Sequence, residues 1–120
     1  MEKELFDYVA ERAEILATSG ASTQVTADAA KAWQAAVAAD EAAADKATEA
    51  FLDVLEGRPT TIDGVIAFAE GPAKEMLGEE VAAQILAAQL ERKAAGAKYC
   101  NCDACTAASE LLAKFGRIEL

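Results

Sequence analysis

Residues 26–56 read TADAAKAWQAAVAADEAAADKATEAFLDVLE, and how this stretch is read decides the fold. Steps of three and four from Ala30 pick out Ala30, Trp33, Val37, Asp40, Ala44, Ala47, Phe51 and Val54, the spacing of a seam along one face of a helix. The stretch predicts one long central helix, over about residues 26–56. It would end at Gly57-Arg58-Pro59, where glycine can take a left-handed cap and proline cannot continue the helix. Small residues at the middle of the seam and large ones near its ends predict close helix approach at the centre, with Trp33 and Phe51 filling the wider ends. Asp40 is the one polar member, and it reads as a mark of register or a subunit contact. With Glu41 and Asp45 it could also form a carboxylate pair for acid-base work, although a charge run on a helix ordinarily means a solvated face.

On either side the same periodicity continues. A first helix is predicted over residues 2–18, with Leu5, Phe6, Val9, Ala13 and Leu16 on one stripe, ended by Ser19-Gly20. Thr23 or Thr26 is then available as an N-cap. A short helix follows from Thr60-Thr61-Ile62-Asp63 to about Ala69, broken by Gly71-Pro72, with a further turn over residues 73–77. Residues 79–95 predict a longer helix with Val81, Ile85 and Ala88 inward and Leu86 and Leu90 flanking. The last helix, about residues 103–115, carries Ala104, Ala108, Leu111, Leu112 and Phe115 and is closed by Gly116. No segment alternates as a half-buried strand would, and no internal repeat is visible. The expectation is an all-α chain, a compact bundle of four to five helices forming one domain over residues 1–120.

Composition narrows the chemistry. The chain has 120 residues, a formal charge of -10, three cysteines and no histidine. Roughly a quarter of it is alanine, with two prolines, which is a composition of helices. Absence of histidine excludes Ser-His-Asp and Cys-His catalysis, di-iron Glu-x-x-His sites, zincin motifs and every imidazole metal ligand. So acidic a chain, with no basic stripe, is not expected to bind nucleic acid. The acidic start Met1-Glu2-Lys3-Glu4 does not resemble a signal peptide, and no run approaches eighteen apolar residues, so a cytoplasmic protein without membrane spans is expected. Residues 81–120 are close to neutral, because Arg92, Lys93, Lys98, Lys114 and Arg117 offset Glu91, Asp103, Glu110 and Glu119.

That neutral third holds all the cysteines, in Lys98-Tyr99-Cys100-Asn101-Cys102-Asp103-Ala104-Cys105. Cys-x-Cys cannot place both sulfurs on one face of a regular helix, so Cys100 and Cys102 belong to a turn, and Asn101 or Asp103 suits the cap of the helix that follows. Cys102 and Cys105 then form Cys-x-x-Cys at a helix N-terminus, where unpaired N–H groups favour thiolate, and Lys98, Arg92 or Lys93 would favour it further. In a reducing compartment such a cluster reads first as a metal site, with Cys100, Cys102 and Cys105 as ligands. A fourth ligand would come from Asp103, another carboxylate, water or a second subunit, and the last of these, with the long seam, points to a homodimer. Zinc, Cu(I) or another soft ion, or an iron–sulfur cluster with one non-cysteine ligand, all fit this donor set. Two other readings compete: a thiol redox protein with Cys102 as nucleophile and Cys105 resolving, and a structural or interaction protein whose thiols are merely packed at a helix junction. Tyr99 would cover the cluster or anchor its turn.

The stretch from Ala95 to Cys105, together with Ile62-Asp63-Gly64-Val65-Ile66-Ala67-Phe68-Ala69-Glu70, resembles a family of small helical proteins from anaerobic bacteria, some of which carry heat-shock or chaperone-like labels. The resemblance implies an all-helical fold and the cysteine motif as a family signature. It transfers no mechanism, and the chain contains no nucleotide-binding loop that an ATP-driven chaperone would need.

Overall fold

A computed structural model describes residues 1–119. They form seven α-helices: α1 (Lys3–Thr18), α2 (Gln24–Ala39), α3 (Ala44–Leu55), α4 (Ile62–Glu70), α5 (Pro72–Leu77), α6 (Glu79–Ala94) and α7 (Asp103–Lys114), with a 3-10 turn, Glu41–Ala43, between α2 and α3. The chain is all-α. Among the described residues β pairing is confined to one antiparallel bridge, Thr61 with Tyr99. The helices fall into two compact units, residues 1–59 with 101–119, and residues 60–100.

In the first unit α1 packs on α2, α2 on α3, α3 on α7 and α7 on α1, a closed ring of four helices. Its core is Val9, Ala13 and Leu16 from α1, Ala30 and Trp33 from α2, Phe51, Leu52 and Leu55 from α3, and Ala104, Ala107, Ala108, Leu111 and Leu112 from α7. The stripes read on α1 and α7 are these buried faces. Arg117, just past α7, donates to Asp53 at 2.6 Å and Glu56 at 3.1 Å, which ties the end of that helix back to α3. The hydrogen bond to Asp53 raises the guanidinium's pKa above its already high ordinary value, against a smaller lowering by desolvation.

The predicted single helix over residues 26–56 is two helices, and this split together with α5, expected only as a turn, brings the number from the expected four or five to seven. The break is at Asp40. Its backbone lies at φ -153°, ψ 105°, well outside the helical region, and its carboxylate accepts from the Ala42 N–H at 3.0 Å, capping the 3-10 turn. This is the competition that a short polar side chain offers a helix, hydrogen-bonding to nearby backbone in a non-helical conformation. What tips the balance is burial. Folding the stretch back on itself brings Trp33 within 6.5 Å of the Phe51 ring and lets the indole N–H donate to Thr48 Oγ1 at 2.8 Å, while α1 places the Phe6 ring 5.5 Å from the same indole. Burying two aromatic side chains stabilises by roughly 1.5–3 kcal/mol each, more than the few helical hydrogen bonds lost at one break. The seam was read correctly as an apolar face, but its two halves pack against each other. No glycine or proline marks the break, so alanine-rich sequence on both sides hid it.

In the second unit α4, α5 and α6 pack pairwise. Buried residues are Ile62, Val65, Ile66 and Ala69 on α4, Ala73 on α5, and Ala82 and Gln89 on α6. The inward face of α6 therefore differs from the predicted one: Val81 is 43% exposed, whereas Ala82 and Gln89 are buried, with Ile85 and Leu86 at their sides. Small Ala82 permits close approach, and the buried Gln89 carbonyl accepts from Arg92 at 2.7 Å, so a polar residue occupies a face that hydrophobicity alone placed elsewhere.

Two outcomes test the hairpin of α2 and α3. Thr48→Val keeps the side-chain shape but removes the acceptor of a buried indole, and it lowers the unfolding free energy in urea by about 1–3 kcal/mol, while Thr48→Ser costs about 1 kcal/mol, the value of one buried methyl. Asp40→Ala removes the cap of the 3-10 turn and costs about 1 kcal/mol in the same assay.

Candidate metal centre

The cysteine segment begins where α6 ends. Gly96 sits at φ +97°, a conformation open to glycine, and the Gly96 N–H donates to Lys93 O at 3.0 Å while the Ala97 N–H donates to Arg92 O at 3.0 Å. This is the paired closure of a helix C-terminus that redirects the chain. The extended residues that follow pair with the approach to α4: the Ile62 N–H donates to Lys98 O at 2.9 Å and the Cys100 N–H to Thr60 O at 2.8 Å, around the Thr61–Tyr99 bridge. The backbone of Cys100 is thereby fixed. Thr61 meanwhile caps α4, its hydroxyl accepting from the Gly64 N–H at 3.1 Å.

Cys102 is the N-cap of α7. At φ -63° and ψ 158° it is extended, its carbonyl accepts the first helical hydrogen bond from Thr106 at 2.9 Å, and its Sγ accepts from the Cys105 N–H at 3.3 Å. Sulfur here takes the part that a serine or threonine oxygen plays in most helix caps. The phase of α7 is set by burial of Ala104, Ala107, Ala108, Leu111 and Leu112, which leaves Cys105 half-buried at the edge of that face. At the first turn Asp103 Oδ1 accepts from the Ser19 hydroxyl at 2.7 Å and from the Ala104 N–H at 2.9 Å.

The outcome is convergence. The sulfurs of Cys100, Cys102 and Cys105 all lie within 4.8 Å of one another, and all three residues are half-buried. Three cysteines this close together could hold a metal ion. An ion about 2.3 Å from each sulfur, with bond angles between tetrahedral and trigonal, would set the sulfurs roughly 3.8–4.0 Å apart, so closure needs movement of at most about 1 Å. A cubane iron–sulfur cluster makes a different demand, because its thiolates sit on separate irons and stand further apart than ligands of one ion.

Other residues singled out from the sequence fall elsewhere. Among the described residues the convergent group contains no carboxylate, Asp103 included. Lys93 pairs with Asp63 at 2.6 Å and Arg92 donates to Gln89, so both cations have partners within their own unit. Of the acidic trio, Asp40 serves as a cap, Asp45 lies 3.6 Å from the N-terminal amine, and all of Asp40, Glu41 and Asp45 are exposed. A feature that the sequence did not disclose is an open cleft of about 400 Å³ lined by Met1, Leu5, Thr48, Leu52, Phe115 and Arg117. Its cation is already held by Asp53 and Glu56, which makes it a weaker candidate than the thiols. Among the described residues no helix is long and apolar enough to cross a membrane. No family model, no curated protein and no solved structure matches the chain, so the ground for a functional reading is the thiol cluster itself.

Proposed function

We propose that the chain binds a single soft metal ion through Cys100, Cys102 and Cys105, for sensing, storage, delivery or assembly in a reducing cytoplasm. The observation that carries this reading is the approach of three sulfurs to within 4.8 Å of one another. Thiolate donors select zinc, Cu(I) and related ions over hard cations such as magnesium or calcium. One ion rather than a cluster is favoured, since the sulfurs are spaced for ligands that share a centre. The fourth position of a tetrahedral ion is then filled by water, by Asp103 after release from Ser19, or by a second copy of the chain in a homodimer.

A second reading has its own support. Cys102 caps α7 and receives an N–H from Cys105, the placement of a nucleophilic thiol in a Cys-x-x-Cys pair. The two readings are not exclusive, because thiols that bind a soft ion are also open to oxidation when it leaves.

Protein purified anaerobically without chelator, or reconstituted with zinc or Cu(I), is expected to carry about one ion per chain and no acid-labile sulfide. Replacing all three cysteines by serine abolishes uptake. Failure of the wild-type chain to take up either ion sinks the metal reading. Sedimentation of the loaded protein tests the dimer: a fully loaded monomer assigns the fourth position to water or to this chain's own carboxylate.

A further inference from the structure

We propose that the three-thiol group is matched to a three-coordinate thiophilic centre, trivalent arsenic arriving as arsenous acid, in preference to a tetrahedral divalent ion; this rests on the reading of Cys100, Cys102 and Cys105 as one ligand set. The donor count comes first. Three sulfurs converge, no carboxylate joins them among the described residues, and the chain has no histidine. The nearest acidic group in sequence, Asp103, is hydrogen-bonded to Ser19 and to the Ala104 N–H. A zinc ion held by three thiolates needs a further ligand to complete its tetrahedron. Trivalent arsenic does not, because it forms three bonds and fills the remaining direction with its own lone pair.

Charge balance points the same way. Each thiol passes its proton to one hydroxyl of arsenous acid, three arsenic–oxygen bonds break as three sulfur–arsenic bonds form, and three waters leave. Arsenic stays trivalent, no electrons are transferred, and the product is neutral. Zinc bound by the same three thiolates leaves a net charge of -1, and Cu(I) leaves -2. The sulfurs are half-buried in a near-neutral stretch of the chain, and the residue covalently next to Cys102 is the carboxylate Asp103. A neutral adduct escapes both the desolvation cost and the like-charge repulsion that an anionic one meets. Arsenic–sulfur bonds are similar in length to the zinc–sulfur bond of about 2.3 Å, and the narrower angles of a pyramidal centre draw the sulfurs to roughly 3.3–3.5 Å, a closure of up to about 1.5 Å. Half-burial leaves room for a small neutral solute to enter, and once two sulfurs are bonded the third is already within reach.

The test uses the full reduced chain with sodium arsenite, zinc or Cu(I) under anaerobic conditions, read by intact mass, by the number of thiols left for a colorimetric reagent, and by displacement. The expected arsenite product gains one arsenic less three hydrogens and loses three reactive thiols. Arsenite added to zinc-loaded protein at equal concentration releases the zinc. Cys100→Ser, Cys102→Ser and Cys105→Ser each weaken retention against glutathione at least tenfold, with helical circular dichroism checking that the variants fold. An adduct that consumes only two thiols and keeps a hydroxyl overturns the proposal, as does zinc that stays bound in the presence of arsenite. Uptake of zinc or Cu(I) without arsenite defeats this inference and leaves the metal reading standing; uptake of none of the three defeats both.

Discussion

The Trp33 indole is the part on which the first unit depends. It donates to Thr48, lies against Phe6 and Phe51, and is itself almost fully buried, so it joins α1, α2 and α3 at one point. An alanine-rich helix supplies little apolar area per residue, and a bundle made of such helices must gather its burial at a few large side chains. Closing α2 on α3 around Trp33 does this at the cost of one break in the helix. The ring of helices then offers α7 a surface formed by α1 and α3, and the phase of α7 on that surface determines where Cys102 and Cys105 lie.

Much of this was legible in the amino-acid sequence because it rests on local chemistry. The ends of α1, α4, α5, α6 and α7 lie within a residue or two of their predicted bounds, each marked by glycine, proline or a capping side chain. The break at Asp40 was not legible as a break. One aspartate in a run of alanines looks like a polar member of an exposed face, and only the tertiary gain from stacking Trp33 near Phe51 turns it into a corner. The inward face of α6 was missed for a related reason. Hydrophobicity favoured Val81, but close packing favoured Ala82, and a side-chain hydrogen bond made Gln89 acceptable inside.

The thiol cluster was legible in its placement and less so in its partners. The spacing alone requires a turn followed by a helix start, but the cap is Cys102 and not Asn101 or Asp103, the residue types that suggest one. Two features depend on contacts distant in sequence and could not be read from the motif. Cys100 is fixed through Thr60, forty residues earlier, and Asp103 is engaged by Ser19, eighty-four residues earlier. Arg92 and Lys93, expected to act on the thiols, are instead engaged with Gln89 and Asp63.

These contacts change what the missing fourth ligand means. A site that had simply lost one donor would be expected to hold another polar group poised nearby, since buried acceptors are kept where they are used. Here the adjacent carboxylate accepts two hydrogen bonds, both at Oδ1, from the Ser19 hydroxyl and the Ala104 N–H, and it does not join the sulfurs. Among the described residues the three sulfurs converge without a carboxylate, Cys102 Sγ accepting from the Cys105 N–H while the Cys100 backbone donates to Thr60. On the proposed reading, a centre that is stable with three sulfur bonds therefore suits this turn better than one that must find a fourth.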